Sequence, residues 1–124
     1  MTAAGKRPTA HGDGLQSRDF TYVTNAVQAL MKAAEAKGVS GNVYNVGTGS
    51  SITVLDLIAA LNKFLGTDLI PQFSPPRAGD VRFSRADISR TRRDLGYNPD
   101  VTFLDGLGRT LQWYREAQSA TRAA

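Results

Sequence analysis

One four-residue signature occurs twice in this chain, and it fixes where two helices must begin. Thr53-Val54-Leu55-Asp56 and Thr102-Phe103-Leu104-Asp105 each set a threonine three residues ahead of an aspartate. The hydroxyl can accept from the third helical N–H while the carboxylate reaches back to the threonine N–H, so two orphaned donors are satisfied together. Aspartate stands here where glutamate or glutamine is usual. Behind the first signature Val54, Leu57, Ile58, Leu61 and Leu65 recur at helical spacing, and the helix is expected to end near Leu65. Behind the second, Leu104, Leu107, Leu111 and Tyr114 are expected to face inward. A third stripe, Val27, Leu30, Met31 and Ala34, predicts a helix near Asn25 to Ala36, capped by Thr24 or Asn25 and ended by Gly38.

Between these helices lie short β-rich pieces. Thr9-Ala10-His11 reads as extended and is followed by turn chemistry at Gly12-Asp13-Gly14. Phe20 to Val23 and Asn42 to Val46 read as strands, the second closed by Gly47-Thr48-Gly49. Leu69 to Phe73 reads as an edge-like strand, since Pro71 withholds a ladder donor. Asp87 is expected to cap a short helix that stops before Gly96. The order β-α-β-α-β-α-α predicts an α/β chain, one small mixed α+β domain with helices packed on a small sheet. Residues 1–8 read as a lead-in, 9–116 as the domain and 117–124 as a tail that frays from Ala117.

Composition narrows the function classes. A chain of 124 residues, 41% hydrophobic and 21% charged, reads as one soluble folded domain. It has no apolar run of transmembrane length and no leader-like start, so no membrane partner is expected and the cytoplasm is the expected compartment. No cysteine is present, which excludes disulfides and thiolate zinc sites. The lone His11 argues against a histidine metal site or a Ser-His-Asp arrangement, and no metal is expected. The net charge of +4 is concentrated: Arg77 to Arg93 holds six arginines against Asp80 and Asp87. Such a patch favours an anionic partner. It lacks the interleaved aromatics of a base-stacking surface, so no nucleic-acid partner is expected and a small phosphate ligand accounts for it as well.

The chemistry-bearing residues sit in two frames about sixty residues apart. Gly12 to Val23 carries Gln16-Ser17-Arg18-Asp19-Phe20, and Pro75 to Asp87 carries Arg77-Ala78-Gly79-Asp80. Each sets a guanidinium after Gly- or Pro-rich backbone and close to a carboxylate. Arginine is planar, permanently charged and bidentate, and so suits phosphate. Two such groups suggest a clamp for a diphosphate ester. The bland alternatives are specific. Arg18 could pair with Asp19, Asp80 could cap the turn at Gly79, and Arg82 and Arg85 could be solvated or paired with Asp87. Arg90, Arg92 and Arg93 read as an exposed helix face, Trp113 and Tyr114 as core, and Ser17 and Ser84 as ordinary loop residues.

Gly12–Val23, Gly41–Gly49, Thr53–Leu57, Pro76–Tyr97 and Gly106–Tyr114, in that order, resemble the C-terminal third of the NAD-dependent epimerase/dehydratases. These are the extended short-chain dehydrogenases, and the resemblance is nearest to UDP-hexose 4-epimerases of the UDP-N-acetylglucosamine/UDP-glucose type. It implies that Arg18 and Arg77 hold a nucleotide's diphosphate and that Asp80 accepts from the ribose hydroxyls. The backbone at Ala10 and His11 corresponds to the strand against which uracil lies. The implied ligand is a UDP-sugar or another nucleotide diphosphate sugar. In complete members NAD takes and returns a hydride while a tyrosine moves the sugar's proton.

Two features of the family are missing. No tyrosine here is followed four residues on by lysine, and Gly47-Thr48-Gly49 lacks the third glycine of a dinucleotide loop. The implied fold is thus the substrate-binding subdomain with the Rossmann half absent, carrying no catalytic residue and binding no NAD by itself. Residues 1–8 read like the tail of a helix entering the nucleotide region, and on that resemblance Met1 is expected to be an internal methionine used as a start. Thr24-Asn25 also departs from the family, which commonly has an acidic pair there. The alternatives are a non-catalytic nucleotide-sugar-binding module, one that docks on a separate Rossmann-domain chain, or a truncated gene product.

Overall fold

The computed structural model describes residues 6–122; expectations that fall on residues 1–5 and 123–124 lie outside the described residues. Among the described residues the elements run in the order β1 (Thr9–His11), β2 (Ser17–Arg18), α1 (Val23–Glu35), β3 (Ile52–Thr53), α2 (Val54–Leu65), β4 (Gln72–Ser74), α3 (Ser89–Leu95) and α4 (Phe103–Arg122). The capping signature closes as a full reciprocal box at Thr53 and in part, through the threonine hydroxyl, at Thr102. Thr53 Oγ1 accepts from Asp56 N at 3.0 Å and Asp56 Oδ2 accepts from Thr53 N at 3.1 Å. Asp105 N likewise donates to Thr102 Oγ1, whose hydroxyl donates to the Asp105 carboxylate. α2 ends at Leu65 with Gly66 left-handed beyond it. α4 carries on as helix through Arg122, past the Ala117 at which fraying is expected.

The strands differ more. Instead of one small sheet there are two two-stranded pieces: β1 with β4, parallel, and β2 with β3, antiparallel. The expected strand over Phe20–Val23 does not form. Phe20–Tyr22 runs into α1 and is held by α4, the Phe20 and Phe103 rings lying 5.7 Å apart and Arg109 covering Tyr22. Asn42–Val46 is not a strand either. A strand exists only with a neighbour to complete its ladder, and among the described residues this segment has none, with Val43 80% exposed. Side chains fix it instead. The Thr91 hydroxyl donates to Asn45 O and the Tyr97 hydroxyl donates to Gly47 O at 2.8 Å.

α1 also turns differently from its apolar stripe. Its inner face is Asn25, Ala29 and Ala33, while Val27, Leu30 and Met31 are exposed. Neither Thr24 nor Asn25 caps it: Tyr22 stands at the N-cap without a side-chain bond, and Asn25 is buried inside the helix. The Asn25 amide donates to Val101 O and accepts from the N–H groups of Asp100 and Val101, tying α1 to the chain ahead of α4. Small residues there let α1 approach the core of Ala29, Ile88, Leu95 and Tyr97, flanked by Tyr44 and Ala86. Asp87 does not cap α3, whose N-cap is Ile88; it accepts from Ser89 N in the turn before it. Leu104, Trp113 and Tyr114 are exposed rather than inward, and the last two rings stack edge-on at 5.5 Å.

A cleft lined by two arginines

The chain builds one end of the molecule from its turns. β1 leads into Gly12, whose N–H bonds Ser74 O at the end of β4. The next residues fold back over α2: Leu55 N donates to Gly14 O and Val54 N to Gln16 O. Ser17, buried, is bracketed by β3 on one side and by the Arg82–Ser84 segment on the other, with Ser17 N on Arg82 O and Ser84 N on Ser17 O. That bracket sets Arg18 beneath the loop that carries Arg77 and Asp80.

The loop is itself a turn. Asp80 N donates to Arg77 O at 3.2 Å, and Gly79 takes a φ of 78° at the third position. A turn of that kind needs φ > 0 there, which glycine alone adopts freely. It brings Arg77 and Asp80 to its two ends. As a result Ala10, His11, Arg18, Arg77 and Asp80 line a single open cleft of about 360 Å³, together with Thr9, Gln16, Val54, Ala78 and Gly79. A second open space shares His11, Gln16, Arg77 and Asp80 and extends the cleft past Ser74 and Arg82. All five residues singled out in the sequence therefore meet in one place, although the two arginines are about sixty positions apart.

Their partners differ from the simple pairings. Arg18 does not pair with Asp19. Its Nη2 lies 2.6 Å from Asp80 Oδ1, and its Nη1 donates to the carbonyls of Ser17 and Val81. Arg82 pairs with Asp13 at 2.7 Å, not with Asp87, and that bond holds the Asp13 carboxyl below the ordinary carboxylate range. Arg77 makes no side-chain hydrogen bond or ion pair among the described residues. The His11 ring Nδ1 stands 2.7 Å from the Ser74 hydroxyl, and Gln16 Nε2 donates to His11 O. Ser74 joins the cleft because β4 pairs with β1, and no local pattern announces a pairing sixty-three residues apart.

Asp19 faces the other way, and sequence reasoning missed its role. Its carboxylate accepts from Thr48 N at 2.9 Å, Thr48 Oγ1 at 2.5 Å, Gly49 N at 2.9 Å and Ala86 N at 3.3 Å. Burial raises its pKa, but the bonds from the Thr48 hydroxyl and the three N–H groups outweigh that and hold it below the ordinary value. Gly47 permits the approach, since a Cβ there would lie 2.7 Å from Asp19 Oδ2. This occupancy bears directly on NAD. The N–H groups that a phosphate-cradling loop would offer are already spent on an internal carboxylate, so Gly47-Thr48-Gly49 does not fit a dinucleotide pyrophosphate. Among the described residues no group of three His, Cys, Asp or Glu is placed to hold a metal, and no helix is long and apolar enough to cross a membrane.

Comparison with known proteins places these features in context. Residues 1–110 match the family model described as GDP-mannose 4,6 dehydratase. The chain is 37% identical over 112 residues to a UDP-glucose 4-epimerase of Mycolicibacterium smegmatis, covering 90% of this chain and 36% of that protein. The fold is similar to the Thermotoga maritima UDP-glucose 4-epimerase solved with UDP-glucose, with a TM-score of 0.87 and 35% identity over 94% of this chain and 37% of that one. It is also similar to the Bacillus cereus UDP-glucuronic acid 4-epimerase in complex with UDP-glucuronic acid and NAD. There the TM-score is 0.80 and the identity 34%, over 86% and 34% of the two chains. This chain thus spans about a third of the length of the relatives it matches.

Proposed function

Because this chain belongs to the NAD-dependent epimerase/dehydratase family, we propose that its cleft is the nucleotide-sugar-binding part of a UDP-hexose 4-epimerase-like protein. The observation that supports this reading is the convergence of Arg18, Arg77, Asp80, Ala10 and His11 on one open cleft. In the proposal the two guanidiniums take the diphosphate, Asp80 accepts from the ribose hydroxyls, and the base lies along Ala10 and His11. A carboxylate accepts readily from a vicinal diol but repels phosphate. Asp80 is therefore assigned to the sugar. The chain's contribution is orientation: it fixes the nucleotide and leaves the pyranose to be acted on elsewhere. The proposed setting is the cytoplasm, in keeping with a sequence that has no cysteine.

Thermal shift tests the cleft directly. A ligand at a hundred times its dissociation constant stabilises the fold that binds it by about 2.7 kcal/mol. UDP is expected to raise the melting temperature more than UMP, GDP, dTDP or inorganic phosphate. Equal shifts with every polyphosphate would reduce the cleft to generic positive charge. The 124-residue chain with UDP-glucose and NAD is expected to give no turnover; product above background would sink the assignment of a purely binding role.

A second reading, that the chain docks on a separate dinucleotide-binding chain, has its own support. Val23, Val27, Leu30 and Met31 are exposed along α1, and Val43 is exposed with no strand paired to it among the described residues. Apolar surface of this kind marks a contact face, and the relatives carry about two thirds of their length beyond the part matched here. Capture of a polypeptide bearing the glycine fingerprint, lost on Leu30→Glu, is the expected result.

A further inference from the structure

The two arginines of the cleft stand in different states. Among the described residues Arg77 makes no side-chain hydrogen bond or ion pair, whereas Arg18 is occupied on both terminal nitrogens. Its Nη1 is fixed by the carbonyls of Ser17 at 2.7 Å and Val81 at 2.5 Å. Its Nη2 carries the Asp80 carboxylate at 2.6 Å. Guanidinium has five N–H donors, so Nε and one Nη2 hydrogen remain. A phosphate that takes Arg18 end-on through Nη2 meets a carboxylate already seated there. Both side chains of the pair are 34% exposed, and Asp80 sits at the end of a turn whose other end is the free Arg77.

Resting on the reading of the cleft given above, we propose that Asp80 is an internal stand-in for the ligand's phosphate and that the cleft loads by exchange. The incoming diphosphate displaces Asp80 from Arg18. The released carboxylate is then satisfied by hydroxyl donors on the same ligand. Ser17 and Val81 keep the guanidinium in place throughout, because their carbonyls bond the nitrogen the ligand does not take.

Exchange makes Asp80 a specificity determinant. A diphosphate with a neighbouring diol replaces the lost ion pair with hydroxyl bonds to the carboxylate. A bare diphosphate also displaces Asp80, but leaves it unpaired beside two phosphate charges, which is unfavourable. The pair thereby discriminates against inorganic pyrophosphate, the polyanion that two arginines alone would accept readily. The competing account is mechanical: the Arg18–Asp80 bond could simply brace the turn against β2.

Calorimetric titration of the 124-residue chain with UDP and with inorganic pyrophosphate separates the two accounts. Wild type is compared with Asp80→Asn, Asp80→Ala and Asp13→Asn. Both Asp80 variants are expected to bind pyrophosphate about fivefold more tightly, the scale of one partly exposed ion pair removed from competition, and to bind UDP more weakly. The preference for UDP over pyrophosphate then falls about tenfold or more. Asp13→Asn removes the same charge beside the same cleft, where Asp13 pairs with Arg82. It is expected to shift both ligands together and leave the preference intact. A loss of pyrophosphate affinity in the Asp80 variants, with a lower melting temperature, would make Asp80 a brace and overturn the exchange. Equal changes in the Asp80 and Asp13 variants would overturn it in favour of general charge. Unchanged pyrophosphate affinity alongside ordinary UDP binding sinks the exchange alone, whereas wild type binding neither ligand sinks the cleft reading with it.

Discussion

Around the cleft the polar side chains of Asp13, Gln16, Arg18, Ser74, Asp80 and Arg82 all have partners inside the chain. Along α1, by contrast, Val23, Val27, Leu30 and Met31 are exposed among the described residues, as is Val43 elsewhere in the chain. Apart from Arg77, these polar groups are bonded within the chain, while the apolar side chains are left uncovered by the described residues. Hydrogen bonds and ion pairs are short-ranged and can be closed by a few loops. A hydrophobic face is satisfied only by another surface of comparable size. The chain thus carries a cleft bonded largely within itself and an uncovered apolar face, while the adjacent Arg18 and Asp19 turn to different partners, Asp80 in the cleft and Thr48, Gly49 and Ala86 away from it.

Asp19 is where that division is most exposed to test. Asp19→Ala leaves the N–H groups of Thr48, Gly49 and Ala86 without their acceptor. Removing such a partner costs about 1–3 kcal/mol per stranded donor. A loss of about 3–5 kcal/mol in urea unfolding is expected, a large share of the 5–15 kcal/mol that holds typical domains together. The pH dependence has a definite sign. Asp19 is held below its ordinary pKa, so its stabilisation is fully present above the unfolded value, near 3.8, and is lost as pH falls through the folded one. Asp19→Asn should therefore shrink the acid-side loss of stability seen in wild type. At temperatures where the variant remains folded, UDP should still bind, since the Arg18–Asp80 pair lies on the other side. If UDP binding vanished in step with stability, the two regions would be one cooperative unit and the division would fail.

Arg77→Ala probes the cleft side alone. No described residue depends on its side chain, so the melting temperature of the free protein should stay unchanged. UDP affinity should fall by about 10–100-fold, the scale of a charge-assisted phosphate contact. Calorimetry and a ligand-free melt on one sample read both quantities. A destabilised free chain would mean that Arg77 braces the turn, and the contrast between an occupied and a free arginine would be lost.

These contrasts also show which parts of the structure were written locally. The helices that open at Thr53 and Thr102 were legible because a capping box is closed within four residues. The arginine frames were legible because a planar cation set in Gly- and Pro-rich backbone has few uses. Strands were not. Whether Val43–Val46 joins a ladder depends on a neighbour that nothing in its own sequence specifies, and β4 with β1 is a pairing across more than sixty residues. The direction in which α1 faces was misleading for the same reason. Its stripe of Val27, Leu30 and Met31 marks an apolar surface correctly, but the inner face is made by Ala29, Ala33 and the buried Asn25. Asp19 was hidden because the groups that donate to its carboxylate, at Thr48, Gly49 and Ala86, are about thirty and sixty-seven positions away.

The smallest expected effect is the most telling about the unfinished face. Leu30 is 69% exposed and Met31 59%, so Leu30→Glu with Met31→Lys removes little buried area and should change unfolding free energy by no more than about 0.5 kcal/mol. An opposite-charge pair at adjacent positions keeps the net charge at +4, which leaves UDP binding at the cleft unaffected. What should change is association. Wild type, with its uncovered apolar helix, is expected to sediment as larger species at high concentration, and the double variant as a monomer. Ala29→Leu serves as the contrast one residue away: Ala29 is 2% exposed, and an added isobutyl group there overpacks the core at a cost of about 1–3 kcal/mol. Should the Leu30/Met31 variant unfold as readily as the Ala29 one, α1 would be facing the other way in solution, and the apolar stripe would belong to this chain's own core instead of to a partner.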